Sequence, residues 1–388
     1  MNLADIHTDC RYFQTDRPCG PHKSTGVTCG ACNNYDRVAT KVLIVKLDAI
    51  GDVLRTTCIL KAIKQKYPHS WVTWLTKNAS LPLLDNNPYV VEVQAIEHHG
   101  LFLLMTTSFD VVINPDASSE ASHYATLAKG REKFGFVFSE DGRLQPLNTS
   151  AEAWYLMGLN DEKKKQNTQT YQRIILDICE LPTTDHPIIW AMNNEEFNYA
   201  DQFALRHKIH QNGAPVIGLN TGAGGRWKWK KWTVLGYMAL IEKILERIPD
   251  ATILLYRGPD EQERNHELCI NGLGRVIDTG HDNSLREFGA LVSLCDVMVT
   301  GDTMAMHLAT ALGKRIVALF GPTSADEIEL YGRGVKVQPK ELSCLCCYLS
   351  DCEVKPACME QISPSTVFEA VEGQCRLVHK MTKLDMVA

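Results

Sequence analysis

Short runs of apolar residues recur along the chain, and in the stretches between them apolar residues return at every third or fourth position. The runs predict buried strands and the intervening stretches predict helices, an order typical of a parallel sheet with helices on both faces. In the first half, the predicted strands are 41–47, 71–76, 90–96 and 109–116, and a helix is predicted over 52–67.

The pattern is interrupted by a polar segment over 150–185 and begins again at residue 215. The second half predicts strands over 215–220, 251–258, 274–280, 296–303 and 315–323, with helices over 233–248, 284–294 and 304–312. The predicted fold class is α/β, with two doubly wound, Rossmann-like domains facing each other across a cleft. In such sheets, ligands bind outside the carboxyl ends of the strands.

Four regions follow from this pattern. They are a cysteine-rich N-terminal arm over 1–40, an N-terminal Rossmann-like domain over 41–185, a C-terminal Rossmann-like domain over 186–365 with a cysteine cluster at 344–358, and a C-terminal helix and tail over 366–388. The arm is polar and has no clear period, so it cannot form much core of its own. Another part of the molecule must therefore hold it in place.

The 388 residues are 45% hydrophobic and 22% charged, as in ordinary globular proteins, and the length suits two domains. The net charge of −6 does not favour a nucleic-acid partner. No apolar run approaches the roughly 20 residues of a membrane span, and the first residues lack a signal-peptide pattern. We expect a cytoplasmic protein with at most peripheral membrane contact.

Two carboxylates, Asp48 and Asp52, occupy the turn after the first predicted strand, in the sequence DAIGD. A helix N-terminus at such a turn usually attracts an anion, so acids there need another explanation. The helix N-terminus keeps a carboxylate ionised, and an ionised carboxylate can act as a base. Asp52 is the candidate base, while Asp48 could assist, bind an acceptor or cap the turn.

A glycine-rich segment, NTGAGGRWKWKKW at 220–232, follows the first strand of the second half. Glycines let the backbone approach a ligand, and three lysines supply the positive charge that suits a diphosphate. The candidate groups are Thr221, Gly222, Gly224, Lys228, Lys230 and Lys231. The alternative is a flexible loop with solvated lysines.

A second candidate segment is TGDTMAMHL, which ends a predicted strand and opens a helix near Met304. Thr303 is expected to cap this helix while Asp302 points into the cleft, where a carboxylate could hold sugar hydroxyls. His307 lies one turn further along, and a structural role is the favoured interpretation for it.

The segment YRGPDEQER places two acids after another predicted strand. Either Asp260 or Glu261 could bind a ribose hydroxyl, as an acid does in dinucleotide folds. Simple helix capping is the alternative, and the sequence alone favours it.

Nine of the fourteen cysteines fall into two short stretches, and such clustering in a reducing compartment points to metal before disulfides. Both sets contain a C-x2-C pair that suits a closed, structural Zn or Fe site. The predicted ligands are Cys10, Cys19, Cys29 and Cys32, with His22 as a further candidate, and Cys344, Cys347, Cys352 and Cys358, with Cys346 as the spare. Reduced free cysteines are the alternative.

In chain order, AIGD, GAGG with KKW, GDTMAMHL and ALFGPT resemble the motifs of the ADP-heptose glycosyltransferases. These are the lipopolysaccharide heptosyltransferases and their relatives, glycosyltransferase family 9. The resemblance covers roughly residues 41–375. It implies the GT-B fold, an acceptor on the N-terminal domain, ADP-heptose on the C-terminal domain, and an inverting transfer with no metal in the chemistry.

The resemblance also implies roles for single residues. Asp52 would be the catalytic base, Lys230 would contact the donor diphosphate, Asp302 would hold the heptose, and Asp260 would hold the ribose. Thr303 and the backbone beside it would serve the diphosphate. The family often has a small residue where this chain has Asp48, which leaves the choice of base ambiguous, and the arm is not part of the family's core pattern. The later cysteine cluster is similar to a four-cysteine metal clasp found in some members.

The acceptor is left open between a lipopolysaccharide core sugar, a protein Ser/Thr and a small natural product. Lys129, Arg131 and Lys133 could meet an anionic acceptor or simply face solvent. The arms could build a surface for a partner or for a homo-oligomer. Two other classes stay open, namely a GT-B transferase that uses a different nucleotide sugar and a non-catalytic metal-binding or redox protein.

Overall fold

The computed structural model describes residues 2–209, 213–224, 228–271 and 275–385. The arm and the first half contain α1 Gly20–Thr25, β1 Thr40–Val45, α2 Ile50–Thr56, α3 Ile59–Lys66, β2 Ser70–Thr76, β3 Glu92–Ala95, α4 Leu101–Thr106, β4 Ser108–Asn114, α5 Ser119–Leu127, β5 Lys129–Phe138, β6 Leu144–Pro146, α6 Thr149–Gly158, α7 Asp161–Gln166 and α8 Tyr171–Ile178. The second half contains α9 Asn194–His207, β7 Val216–Asn220, α10 Val234–Arg247, β8 Thr252–Tyr256, α11 Gln262–Asn271, β9 Val276–Asp278, α12 Leu285–Val292, β10 Val297–Gly301, α13 Met304–Ala311, β11 Arg315–Leu319, β12 Gly334–Val337 and α14 Pro364–Asp385.

The strands form two six-stranded sheets, with the orders β3-β2-β1-β4-β5-β6 and β12-β11-β10-β7-β8-β9. Every pairing is parallel except that of β5 with β6. Along β1, Val42 and Ile44 join one hydrophobic cluster while Leu43 and Val45 join another. Both faces of this strand are therefore buried, which explains its continuous apolar run. The expectation of two doubly wound domains is confirmed.

Each sheet has a point where the connections leave its first strand in opposite directions. In the first sheet, β1 lies between β2 and β4, and in the second sheet, β7 lies between β8 and β10. A crevice opens outside the carboxyl ends of the strands at such a point. The segments after β1, β7 and β10 are thus the ones that face a ligand.

The structure differs from the expected elements in several places. The predicted helix 52–67 is divided into α2 and α3, and the strands β5, β6 and β12 were missed. The first half of β5 is largely exposed and carries charged residues, so it lacks the apolar run by which the other strands are recognised. The ammonium groups of Lys129 and Lys133 in this strand donate to the backbone carbonyls of Met105 and Ala125.

The two halves of the chain contact each other directly through α2 and α13. A Cβ atom at Gly51 would lie 3.2 Å from His307 Cδ2 and 3.4 Å from Met304 Cα, so glycine permits this close approach. Elsewhere, Arg286 of α12 donates to the carbonyl of Pro82 at 3.1 Å. Within the described part of the chain, every helix is too short or too polar to cross a bilayer.

Candidate active site

A cleft of about 830 Å³ lies between the two halves, at the carboxyl ends of β1, β7 and β10. The first wall is formed by the start of α2. The second wall is formed by the loop after β7, the segment after β8 and the start of α13. The sequence-predicted residues that line this cleft are Asp52, Gly222, Gly224, Lys230, Asp260, Glu261, Asp302, Thr303, Met304 and His307.

Asp52 lies in the first turn of α2, and 37% of its side chain is exposed. Its carboxylate pairs with Arg55 Nη2 at a distance of 2.8 Å. Burial on its own raises the pKa of Asp52, but the charges of Arg55 and Lys46 outweigh burial and lower the pKa to about 2. Asp52 is therefore ionised at neutral pH.

Of the two acids in this turn, only Asp52 lines the cleft. Half of the Asp48 side chain is exposed, and its carboxylate accepts a 2.7 Å hydrogen bond from Lys77 Nζ. The same Nζ contacts Glu120 at 2.8 Å. The N-cap of α2 is Ala49, so Asp48 does not cap that helix. Its part in catalysis stays a prediction.

Sequence reasoning missed two basic residues, Lys46 and Arg55, whose charges lower the pKa of Asp52. Lys46 is buried, and its Nζ donates to the Asp48 carbonyl at 2.7 Å and to Asp116 Oδ2 at 3.0 Å. The Arg55 guanidinium lies over the Tyr171 ring, 3.6 Å from its centroid. A lysine at the end of an apolar strand and an arginine three residues after an acid were the available signals.

The glycine-rich loop brings backbone to the second wall. Gly222 and Gly224 line the cleft, and Gly224 has φ +66°, a conformation that glycine adopts without strain. Residues 225–227 and the side chain of Lys228 lie outside the described residues.

Thr221 is buried below this loop and does not line the cleft. Its hydroxyl donates to Asn265 Oδ1 at 2.5 Å, and its N–H donates to the Tyr256 carbonyl at 3.2 Å. Both of its donors are thus used inside the domain. The structure does not bring Thr221 together with the other donor-binding candidates, and its assignment stays a prediction.

Lys230 and Asp302 form an ion pair on the second wall. Lys230 Nζ lies 2.8 Å from Asp302 Oδ2, and less than a fifth of either side chain is exposed. Burial on its own raises the pKa of Asp302, but the charge of Lys230 outweighs burial, so the pKa lies below its usual value. Lys231 instead pairs with Glu261 at 2.5 Å.

Thr303 is the N-cap residue of α13, but the expectation that its hydroxyl caps the helix is wrong. The hydroxyl accepts a 3.1 Å hydrogen bond from Asn220 Nδ2 and lies 3.1 Å from Thr300 Oγ1. The side chain is drawn toward the end of β7 rather than toward the helix. None of the first-turn N–H groups of α13, which begins at Met304, donates a hydrogen bond to the Thr303 side chain.

His307 is buried where α13 meets α2, and it also lines the cleft. Burial lowers the pKa of His307 to about 4, and the neighbouring Arg55 adds to this effect, despite the opposing charges of Asp302 and Asp52. The imidazole is therefore neutral at pH 7. It can accept or donate a hydrogen bond in the cleft without adding charge.

The two acids after β8 have different surroundings. Glu261 is buried, and its carboxylate accepts a 3.1 Å hydrogen bond from the Gly258 N–H at the start of a 3-10 turn. Both acids line the cleft, but Asp260 is exposed. Capping thus accounts for Glu261, whereas Asp260 is free to meet a ligand from this wall.

The cysteine-rich segment after β12 also reaches the cleft, which sequence reasoning missed. Tyr348 lines the cleft, its N–H donates to the Pro322 carbonyl at 2.8 Å, and its hydroxyl accepts from the Ser324 N–H at 3.2 Å. Three of the four predicted ligands in this segment lie close enough to the fourth, Cys358, to act on its charge. Burial first, and then the thiols Cys347, Cys352 and Cys344, raise the pKa of Cys358 to about 11.

The four predicted ligands of the arm line one cavity of about 260 Å³, and His22 lines it too. These are Cys10, Cys19, Cys29 and Cys32. Across the described ranges, however, no group of three or more His, Cys, Asp or Glu side chains is arranged to hold a metal ion. The metal at either cluster therefore stays a prediction.

Comparisons with known proteins agree with this arrangement. The model of glycosyltransferase family 9 (heptosyltransferase) matches residues 103–357, which is more than half of the chain. Among curated relatives, the lipooligosaccharide heptosyltransferase 2 of Haemophilus ducreyi is 24% identical over 317 residues, which cover 73% of this chain and 84% of that protein.

Two solved structures show the shared fold. A family 9 glycosyl transferase from Veillonella parvula has a TM-score of 0.69 and 17% identity, covering 87% of this chain and 97% of its own. TibC, an iron-containing dodecameric glycosyltransferase from enterotoxigenic Escherichia coli, has a TM-score of 0.53 and 10% identity, covering 88% and 77%. TibC was also solved in complex with ADP-D-beta-D-heptose.

Proposed function

Since this chain belongs to glycosyltransferase family 9 (heptosyltransferase) and is a glycosyltransferase, we propose that it transfers a heptose from ADP-heptose to an acceptor hydroxyl with inversion. One observation carries the proposal: Asp52 on the first wall and the Lys230–Asp302 pair on the second wall line the same cleft. The ADP-heptose complex of TibC, a protein with the same fold, supports the choice of donor.

The second wall holds the donor in this proposal. Lys230, the backbone of Gly222 and Gly224, and the first-turn N–H groups at Met304 face the diphosphate, because a helix N-terminus and a lysine both favour phosphate oxygens. Asp302 accepts hydrogen bonds from heptose hydroxyls.

Three further residues complete the donor site. Asp260 accepts from the ribose, and Thr303 and the neutral His307 supply uncharged polar contacts beside the diphosphate. Thr221 acts only through the loop that it holds in place, because both of its donors are used inside the domain.

The first wall performs the proton transfer. The acceptor oxygen attacks the anomeric carbon, the bond from that carbon to the diphosphate oxygen breaks with its electron pair, and ADP leaves. The proton of the acceptor hydroxyl passes to the Asp52 carboxylate. Charge develops on the leaving oxygen, so Lys230 and the α13 N-terminus, already in place, stabilise it, and the scheme uses no metal in the transfer.

The pairing with Arg55 matters for the strength of this base. A carboxylate with a pKa near 2 accepts a proton weakly, because base catalysis is most efficient when the pKa lies near the working pH. A diphosphate that shares the Arg55 charge raises the pKa of Asp52. Donor binding and activation of the base are then coupled through one guanidinium group.

The acceptor meets the open side of the first wall in this scheme. The names of the curated relatives favour a lipopolysaccharide or lipooligosaccharide core sugar over a protein Ser/Thr or a small molecule. Asp48 lies at the rim of this wall beside Lys77, where it can contact the acceptor.

A cytoplasmic location and a homo-oligomeric state belong to the same proposal, the latter supported by the dodecameric TibC.

Structural Zn or Fe at the two cysteine clusters is a separate part of the proposal. The proximity of Cys344, Cys347, Cys352 and Cys358 supports a site in the later cluster, and the fold is shared with an iron-containing protein. Metal there would hold the segment that places Tyr348 in the cleft. Less than one equivalent of Zn or Fe in protein purified without affinity metals would count against both sites.

The test of the activity is turnover of ADP-heptose against a core oligosaccharide, a Ser/Thr peptide and small-molecule hydroxyls. We expect ADP release that depends on one acceptor class.

A parallel thermal-shift panel of ADP-, UDP- and GDP-sugars examines the donor, since a ligand at 100 times its Kd adds roughly 2.7 kcal/mol to the free energy of unfolding. Stabilisation only by a UDP- or GDP-sugar would indicate another GT-B transferase, and no turnover with any donor would favour a non-catalytic metal or redox protein.

A further inference from the structure

The N-terminal arm has little core of its own and is attached to the first domain by polar contacts. Arg11 pairs with Asp36 at 2.7 Å and donates to the Ser70 carbonyl at 3.3 Å. The Val38 N–H donates to the Asp9 carbonyl at 2.7 Å and closes the arm into a loop. A segment with this little buried apolar surface usually needs a disulfide or a metal to stay folded.

Local backbone structure turns the four arm cysteines toward one place. Cys29 begins a 3-10 turn, and the Cys32 N–H donates to the Cys29 carbonyl at 3.2 Å, so this C-x2-C pair lies on one tight turn. Cys19 precedes α1, and Cys10 forms a bridge with Arg37. All four are free thiols, and all four line the same cavity.

That cavity is too large for a single ion. Its volume is about 260 Å³, whereas one water molecule needs only roughly 10–15 Å³. A tetrahedral zinc ion with Zn–S distances of about 2.3 Å draws its sulfurs to within about 4 Å of one another. No three candidate ligands in the described parts of the chain meet at a geometry that holds one ion. The four cysteines line this larger cavity instead.

The rest of the lining suits an anionic inorganic cluster. Apolar side chains form much of the wall, including those of Ile6, Phe13 and Val27. Arg17 and His22 lie on the same wall, and His22 Nδ1 is 2.9 Å from the Val27 carbonyl, which fixes the ring. Four thiolates with bridging sulfide carry negative charge, so a positive group and an apolar shell around them are favourable.

We propose that Cys10, Cys19, Cys29 and Cys32 hold an iron–sulfur cluster, in which each thiolate binds the iron at one position of the cluster. The cluster, rather than a disulfide or a zinc ion, gives the arm its fixed structure. This inference deepens the Zn-or-Fe part of the proposed function for the arm alone. It does not depend on heptose transfer.

The experiment uses the full chain, purified without oxygen and then incubated with Fe²⁺, sulfide and a thiol. Iron, acid-labile sulfide and zinc are counted per chain, and the visible absorption of sulfide-bridged iron is recorded. The double variant Cys29→Ser/Cys32→Ser is compared with Cys344→Ser/Cys347→Ser, which removes the other C-x2-C pair.

We expect sulfide in the wild type, with an equal amount of iron beyond any iron bound at the later cysteine cluster, loss of the sulfide in the Cys29/Cys32 variant, and retention of the sulfide in the Cys344/Cys347 variant. Retention in the second variant tests the assignment even if the first variant unfolds. Zinc or sulfide-free iron in the arm overturns the cluster and leaves the broader metal proposal standing. Absence of any metal from the arm overturns the cluster and the Zn-or-Fe proposal for the arm. ADP-heptose turnover is measured separately, so that failure of the heptose transfer is not confused with failure of the cluster.

Discussion

On the first wall of the cleft, β1 ends in a turn that places Asp52 at the start of a short helix, beside Arg55 and above the buried Lys46. On the second wall, β7 ends in a glycine-rich loop that leads to Lys230, which pairs with Asp302. Each acid lies between the end of a parallel strand and the first turn of the next helix, and each is ionised and pairs with a basic residue.

The two acids differ in the exposed fraction of their side chains. The Asp52 side chain is 37% exposed, whereas that of Asp302 is 18% exposed and lies against Lys230. Both carboxylates are paired, but the more exposed one can reach a substrate proton, while the more withdrawn one is better suited to hold hydroxyl groups. The comparison teaches that two similar strand ends can divide chemistry and binding between them, and each prediction below tests that division.

The largest effect is expected for Asp52→Asn. Loss of the base should lower turnover by roughly 10²–10⁴-fold, since that is the usual contribution of base catalysis. The measurement is single-turnover ADP release at saturating ADP-heptose. Asp48→Asn is the matched control, because Asp48 belongs to the same turn but does not line the cleft. Equal losses in both variants would remove the distinction between the two acids.

Lys230→Gln should have the next largest effect. A hydrogen bond to a charged group contributes about 1.5–3 kcal/mol, so kcat/KM should fall roughly 10- to 100-fold. Lys77→Gln is the control, because Lys77 pairs with Asp48 and Glu120 outside the lining of the cleft. If kcat/KM of Lys230→Gln stays within twofold of the wild type, the diphosphate does not bind at this wall.

Arg55→Gln should shift the pH dependence rather than abolish activity. Arg55 is the strongest of the groups that lower the pKa of Asp52, so its removal raises that pKa and moves the acid limb of the kcat/KM profile to higher pH. Arg173→Gln, an exposed arginine paired with Asp177, is the control. An unmoved acid limb would show that Arg55 does not act on the titrating group.

His307→Gln tests the junction between the walls through stability. The pKa of His307 is about 4 in the folded chain and about 6.5 when unfolded, so between these values the unfolded state binds more protons. The free energy of unfolding therefore falls as pH drops from about 6.5 to 4, by about 3 kcal/mol from this residue.

Chemical denaturation at several pH values measures this slope. The His307→Gln variant should show a flatter dependence, and His69→Gln, an exposed histidine, should match the wild type. A slope that is unchanged in His307→Gln would mean that the buried imidazole does not titrate in this window.

Much of this arrangement could be predicted from the sequence. The strand before Asp52 and the strand before Asp302 were recognised because continuous apolar runs are typical of buried parallel strands, and both acids follow directly. Since the carboxyl ends of such strands face the ligand, the two acids were expected to share a cleft. The structure brings them to the same cleft.

The missed features depend on contacts between residues far apart in the chain. Tyr171 lies more than a hundred residues after Arg55, and no local pattern places its ring under that guanidinium. The capping expectation for Thr303 failed because Asn220, from another strand, takes its hydroxyl. The arm cysteines were recognised from their spacing, but the size of the cavity between them is a property of the folded loop.

The division of labour between the two walls is tested most directly by titrating ADP-heptose calorimetrically into Asp52→Asn and Lys230→Gln side by side. The account predicts a Kd at or below the wild-type value for Asp52→Asn, because the donor lies mainly on the other wall and the loss of Asp52 leaves Arg55 to the diphosphate, and a Kd at least about tenfold weaker for Lys230→Gln. A donor affinity that falls as much in Asp52→Asn as in Lys230→Gln would contradict it.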